Sequence, residues 1–138
     1  MEQNVFSQIT PQIVKLAELS ERSNLIVPEL FTKYDVKRGL RDLNGKGVLA
    51  GLTNISDVRA TAMVNGESVP ADGKLFYRGY NVEDLVDGFS HDNRFGFEEI
   101  TYLLLFNKLP DQAELAEFQA ILAGYRSLPT SFVRDIIM

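Results

Sequence analysis

The sequence predicts a mainly α-helical protein with one small antiparallel β element near its N-terminal third. Apolar residues recur at intervals of three and four over most of the chain, as they do in amphipathic helices. Residues 48–64 are instead rich in Val, Leu, Ile and Thr, which favour strands. The chain of 138 residues is 45% hydrophobic and 24% charged, which suits about one domain with a buried core.

Two helices are expected in a leader region, residues 1–38. Thr10 is typical of an N-cap residue, and Pro11 suits the first helical position because a proline there loses no hydrogen bond. This first helix should run to about Ser23. Pro28 then opens a shorter helix over the next five residues.

A β region is expected over residues 47–80. The Asn-Gly pair at 65–66 is a strong signal for a two-residue hairpin turn between strands at 60–64 and 67–69. Residues 73–80 predict a further strand. We therefore expect two to four short antiparallel strands.

The remainder, residues 81–138, is predicted to be helical. Asn81 is typical of an N-cap, and its helix should end near Phe89. Residues 97–107 are apolar on nearly every side, which is typical of a helix enclosed by others. An Asp-x-x-Glu capping pattern begins a helix over residues 111–127.

The last segment, residues 130–138, begins as an apolar helix and carries no stop signal. We therefore expect the chain to be a truncated piece of a longer protein. Its apolar late helices, at 97–106 and 130–138, should then make the isolated chain self-associate as a homo-oligomer.

Charge and composition exclude several classes of function. There are 14 Lys and Arg against 19 Asp and Glu, with a net charge of −5 and no basic run, which argues against nucleic-acid binding. The absence of Cys excludes disulfides and thiolate metal sites. No apolar stretch reaches the length of a membrane span, and no secretory signal begins the chain, so the cytoplasm is the expected compartment.

The candidate catalytic residues are few. His91 is the single histidine, so a two-histidine metal site is excluded, and its neighbours predict a surface loop. Glu98 and Glu99 are adjacent, about 100° apart on a helix, so they cannot face each other as an acid/base pair. We interpret them as first-turn acids that complement the helix dipole. Arg78 lies among aromatic residues and could anchor a carboxylate or phosphate, but bonds to backbone carbonyls or to an acid are expected instead.

Two motif-like runs lack the required spacing. The Gly-Lys-Gly run at 45–47 resembles a phosphate-binding loop, but Leu40 stands where the motif needs glycine. Asp42 and Asn44 resemble the middle of a calcium loop, but its first and twelfth ligand positions fall on Leu40 and Gly51. From the residues alone we predict no catalytic, cofactor-binding or metal-binding site.

Four runs nevertheless occur in a distinctive order. They are GVLAGLT at 47–53, ISD at 55–57, GKLFYRGYNVEDL at 73–85, and FEEITYLLL at 97–105 followed by a Leu-Pro pair. Together these runs resemble the N-terminal region of citrate synthases, over about residues 39–138. Residues 1–38 are similar to the leader helices of longer members and are less specific.

The resemblance implies a helical portion of the large domain of an acyltransferase of the tricarboxylic acid cycle. Family members condense acetyl-CoA with oxaloacetate, without a further cofactor. Their catalytic histidines, aspartate and substrate-binding arginines follow the region matched here. The resemblance therefore implies that the 138-residue chain alone is inactive.

Residues 59–72 depart from the family pattern, which has a shorter link there, and their role is not explained by it. Two alternatives remain open. The parent could be a methylcitrate synthase, which takes propionyl-CoA, or the chain could be a non-catalytic helical interaction module.

Overall fold

A computed structural model describes residues 8–37 and 48–128, together with Phe132 and Ile136. The glycine-rich run with its phosphate-loop and calcium-loop resemblances, at 40–47, lies outside the described residues. So does most of the predicted last helix, residues 130–138.

The described elements confirm a mainly α-helical chain with a small antiparallel sheet. In chain order they are α1 (Pro11–Ser23), α2 (Glu29–Lys33), β1 (Ser56–Val64), β2 (Glu67–Tyr77), β3 (Tyr80–Asn81), α3 (Val82–His91), α4 (Phe97–Phe106) and α5 (Gln112–Gly124).

Helix α1 begins and ends where the sequence predicts. The Thr10 side chain accepts a hydrogen bond from the backbone N–H of Ile13 at 3.3 Å, and Pro11 occupies the first turn. Leu16 and Leu19 pack against the core from one side of the helix. The short helix α2 also has the predicted bounds.

The three strands are antiparallel and lie in the order β1-β2-β3. The hairpin turn at Asn65 and Gly66 is confirmed, with positive φ angles of 52° and 86° that match a type I′ turn. The prediction of separate strands at 67–69 and 73–80 is wrong, because a single strand β2 runs through to Tyr77. An irregularity in register between Arg59 and Thr61 accommodates the residues in between, so pairing with β1 continues.

Helix α3 starts at the predicted cap, since the Asn81 side chain accepts from the N–H of Glu83 at 3.1 Å. It ends at His91 instead of Phe89, so His91 belongs to a helix and the loop prediction is wrong. The helix ends there because Asn93, two residues later, has a positive φ of 53° and turns the chain away from the helix axis.

Helices α4 and α5 form the core with α1. Tyr102, Phe106 and Phe118 meet edge to face, with ring centroids 4.6–5.9 Å apart. Burial raises the pKa of the Tyr102 hydroxyl. The prediction that α4 is enclosed on nearly every side is wrong for its start and for Leu105. Phe97 is 73% exposed and Leu105 is 44% exposed, whereas Phe106 at the end of the helix is buried.

A capping box begins α5, as predicted, although the helix ends at Gly124 and not at residue 127. The Asp111 carboxylate accepts from the N–H of Glu114 at 2.9 Å, and the Glu114 carboxylate accepts from the N–H of Asp111 at 3.1 Å. Lys108 donates to the other Glu114 oxygen. The bonds from Lys108 and from the Asp111 N–H lower the pKa of Glu114, while Glu114 raises the pKa of Lys108.

This capping box predicts an acid-sensitive contribution to stability. The pKa of Glu114 is lower in the folded chain than the value near 4.3 expected when unfolded. The contribution is therefore fully present above that value and is lost as the pH falls through the folded pKa. We expect Glu114→Gln to destabilise the chain at pH 7 and to cost less at pH 3, measured as urea unfolding by circular dichroism.

Glu21→Gln on α1 is the matched control, because Glu21 is exposed and belongs to none of the ion pairs found among the described residues. A Glu114→Gln cost that stays constant between pH 7 and pH 3 would contradict the prediction.

Candidate functional site

The turn between β2 and β3 places the one buried charged side chain found in the described part of the chain. Arg78 is only 9% exposed, and its backbone takes a left-handed conformation with φ of 49°. Gly79 follows with φ of 88°. The backbone N–H of Arg78 donates to the carbonyl of Ile55 at 2.8 Å, which ties the turn to the start of β1.

The guanidinium of Arg78 donates five hydrogen bonds. Nε and Nη2 donate to the carbonyl of Leu104 at 3.1 and 2.6 Å. Nη1 donates to the backbone and side-chain oxygens of Asn54 at 3.2 and 2.7 Å, and Nη2 donates to the Asn24 side chain at 2.5 Å. An arginine carries five N–H donors, so its capacity is filled.

The predicted bonds of Arg78 to backbone carbonyls are therefore confirmed, although its side-chain partners are amides and not an acid. No donor is left over for a carboxylate or phosphate ligand. Burial lowers the pKa of the Arg78 guanidinium, but an arginine remains charged at neutral pH.

The C-terminal carbonyls of α4 are the point on which these bonds converge. Besides the guanidinium at Leu104, the Asn24 side chain donates to Leu105 at 3.2 Å and the Ser23 hydroxyl donates to Phe106 at 2.9 Å. The last carbonyls of a helix have no partner within it, and the end of its dipole attracts positive charge. Arg78 and the end of α1 thus cap α4 together, and this group is called the α4 clamp below.

His91 lies exposed in the last turn of α3. No side-chain hydrogen bond to it is found in the described chain, and no candidate nucleophile is bonded to it. Among the residues that the structure describes, His91 therefore has no partner for acid/base or nucleophilic catalysis.

Glu98 and Glu99 are first-turn residues of α4, as predicted. Glu98 accepts from Arg126 at 3.3 Å, and Glu99 accepts from Arg94. Hydrogen bonds to Glu99 and Asp92 raise the pKa of Arg94. The two carboxylates thus hold separate cations and do not form a pair.

An open groove of about 770 Å³ lies beside these ion pairs, between the start of α4 and α5. Phe97 and Leu115 line it together with Arg94 and Arg126, each of which forms an ion pair with a glutamate of α4. A smaller space of about 110 Å³ adjoins Arg78. Within residues 8–37 and 48–128, no group of His, Asp or Glu could hold a metal ion, and no helix is long and apolar enough to cross a membrane.

Sequence reasoning singled out Arg78 but missed its partners. Asn24 and Asn54 lie 54 and 24 positions away in the chain, and Leu104 contributes only a backbone carbonyl. The one available signal is that both asparagines stand at a helix end or bend, where their side chains reach backbone groups.

Comparison with known proteins identifies relatives of this chain. The family model described as "Citrate synthase, C-terminal domain" matches residues 40–138. The 2-methylcitrate synthase 2 of Corynebacterium glutamicum is 38% identical over 102 residues, which are 74% of this chain and 21% of the relative. The citrate synthase of Saccharolobus solfataricus is 37% identical over 92 residues, which are 66% of this chain and 22% of the relative.

A 2-methylcitrate synthase of Shewanella oneidensis is 38% identical over 84 residues, or 61% of this chain and 18% of the relative. The chain thus spans about a fifth of the length of these relatives. The family match covers most of the chain and includes Arg78 with its partners Asn54 and Leu104, whereas Ser23 and Asn24 of the α4 clamp lie before it. The chain therefore belongs to the citrate synthase family and corresponds to a part of its enzymes.

Proposed function

We propose that this chain is a scaffold segment of a longer enzyme that condenses acetyl-CoA with oxaloacetate to give citrate and CoA. The family match and the share of the relatives that it covers support this proposal. The observation that carries the scaffold role is the α4 clamp, because the buried cation of the segment is fully engaged in holding three parts of the chain together.

The chemistry of the reaction supports the expectation that the described residues do not perform it alone. A base must remove a proton from the methyl group of acetyl-CoA, and hydrogen-bond donors must stabilise the enol that forms. Cations must also hold the carboxylates of oxaloacetate. His91 is isolated, Arg78 is saturated, and Arg94 and Arg126 are paired with glutamates. Arg78, Arg94 and Arg126 therefore stabilise the fold of the segment. The proposed reaction uses its two substrates without a further cofactor.

A methylcitrate synthase, which uses propionyl-CoA, is the second candidate. Three of the relatives are 2-methylcitrate synthases with 37–38% identity to this chain. The citrate synthase of Saccharolobus solfataricus is about as similar, at 37% identity. In both cases the proposal places the enzyme in the cytoplasm as a homo-oligomer.

The purified 138-residue chain should release no CoA above background from acetyl-CoA or propionyl-CoA with oxaloacetate. The physical reason is the absence, among the described residues, of a base and free cations placed around one site. A thiol-reactive dye measures CoA release, with full-length citrate synthase of Saccharolobus solfataricus as the positive control. Turnover by the chain that His91→Ala abolishes would overturn the scaffold assignment.

A chimera tests the positive side of the proposal. Residues 40–138 replace the matching segment of that full-length citrate synthase, and the folded chimera should still release CoA from acetyl-CoA. The same chimera with Arg78→Ala should lose thermal stability. A folded chimera without any turnover would contradict the proposed role.

A further inference from the structure

The hairpin formed by β1 and β2, residues 56–77, is called the β arm, and the turn at its end is exposed. Every residue of β1 is exposed, and so is β2 as far as Lys74 except for Val69. β1 pairs with β2 and makes no substantial contact with a described helix. A two-stranded hairpin by itself is only marginally stable in water. Local opening of the turn at Asn65 and Gly66 therefore costs little free energy in this chain.

The turn brings together two groups that can react with each other. The backbone nitrogen of Gly66 can close a five-membered ring on the side-chain amide carbon of Asn65, its neighbour in the chain. In a type I′ turn this N–H lies outside the ladder, and within the described chain no backbone hydrogen bond from it is found. No heavy atom lies within 4 Å of the point where a Cβ of residue 66 would stand. The attacking nitrogen is thus unhindered.

The other asparagines of the described chain are less suited to this ring closure, because Asn65 is the one that precedes a glycine. Asn93 and Asn107 share its left-handed backbone, with φ of 53° and 59°. They precede arginine and lysine, whose side chains crowd the attacking nitrogen. The side chains of the remaining three asparagines accept hydrogen bonds within the fold: Asn24, Asn54 and Asn81.

We propose that Asn65 is a site of spontaneous deamidation, with water as the co-reactant. The Gly66 nitrogen gives up its proton to solvent base and attacks Cγ of Asn65. A bond forms between these two atoms, the bond from Cγ to the amide nitrogen breaks, and that nitrogen takes up a proton and leaves as ammonia. Water then opens the resulting succinimide ring at either of its carbonyls, which gives aspartate or isoaspartate. Nothing is oxidised or reduced.

The modification alters the end of the β arm. Isoaspartate carries the main chain through the β carbon of residue 65, so the backbone gains one atom and the two-residue type I′ turn can no longer form. The pairing of Val64 with Glu67 depends on that turn, because turn length sets the register of a hairpin. Both products also add a negative charge close to Glu67. The strand ends at the turn should therefore separate.

Mass spectrometry of tryptic peptides from the full 138-residue chain tests the site. Cleavage after Arg59 and Lys74 separates residues 60–74 from the second Asn-Gly pair, at 44–45, which lies outside the described residues. In mildly alkaline buffer, the peptide should show the mass change of an amide that becomes an acid. Its rate should be within about tenfold of that in a synthetic peptide of residues 60–74. Asn54, in the peptide of residues 47–59, is the internal control and should stay intact.

Fragmentation by electron transfer distinguishes isoaspartate from aspartate, and both should be present because the ring opens at either carbonyl. A rate at Asn65 lower than this range would overturn the proposal, since the fold would then protect the turn. Aspartate without isoaspartate would also overturn it, because direct hydrolysis of the amide gives aspartate alone.

A disulfide across the β arm tests the part played by local opening. Met63 and Ser68 are partners in the pairing of β1 with β2, one step beyond the pair that flanks the turn. Cross-strand positions of this kind have Cα atoms close enough for a disulfide. The chain has no Cys, so Met63→Cys with Ser68→Cys forms a single bridge. The oxidised variant should deamidate at Asn65 several-fold more slowly than the same variant after reduction. Equal rates in the two forms would contradict the proposed route through an opened turn.

Discussion

Replacing Arg78 with alanine should lower the free energy of unfolding by about 3 kcal/mol or more, since charged hydrogen bonds contribute about 1.5–3 kcal/mol each. The change leaves the partly buried carbonyl of Leu104 without two of its donors and releases the side chains of Asn24 and Asn54. Urea unfolding followed by circular dichroism measures the loss.

Two further variants separate geometry from charge. Arg78→Lys keeps the charge but loses the fork that reaches three partners at once, so most of the loss should remain. Arg22→Ala removes an exposed arginine of α1 whose contact with Glu18 is 3.7 Å long, and it should change stability by about 0.5 kcal/mol or less. Equal losses in Arg78→Ala and Arg22→Ala would show that the α4 clamp has no special role.

The second large effect is expected at Phe118. This side chain is buried and contacts both Tyr102 and Phe106 through edge-to-face ring packing. Phe118→Ala should cost about 3–5 kcal/mol, because it removes apolar contacts and leaves a cavity between α4, α5 and α1. Thermal and urea unfolding both report this loss.

Phe97→Ala is the matched control, since it removes the same atoms from a side chain that is 73% exposed. Its cost should be several-fold smaller. Phe118→Leu should retain part of the stability, because it refills some of the volume. If Phe97→Ala proved as costly as Phe118→Ala, the assigned core would be wrong.

The starts of the helices could be predicted from the sequence because they depend on neighbouring residues. The cap at Thr10, the cap at Asn81 and the capping box at Asp111 each require only a side chain and an N–H two or three positions later. The Asn65 turn is local in the same sense. All four are confirmed in the structure.

Element ends and strand lengths were harder to predict. The end of α3 is set by the left-handed conformation of Asn93, which composition alone does not distinguish from a turn at residue 90. The length of β2 depends on an irregular pairing with β1 between Arg59 and Thr61. Such a pairing depends on both strands at once, so the sequence of either strand alone does not predict it.

The candidate site shows the same division between local and distant information. The aromatic surroundings of Arg78 marked it as unusual, and its tendency to bond backbone carbonyls follows from guanidinium chemistry. Which carbonyls it reaches depends on how α1 and α4 approach the turn. That arrangement follows from the packing of Leu16 and Leu19 on the aromatic core, which involves positions about a hundred residues apart.

The union of α1 with the end of α4 has a consequence for synthesis on the ribosome. Ser23 and Asn24 cap carbonyls that lie 83 and 81 positions later in the chain. At 5–20 residues per second, those carbonyls are made about 4–16 seconds after the helix that caps them. During that interval the core residues Tyr102, Phe106 and Phe118 have not been made, so Leu16 and Leu19 on the amphipathic helix α1 stay uncovered until α4 and α5 emerge.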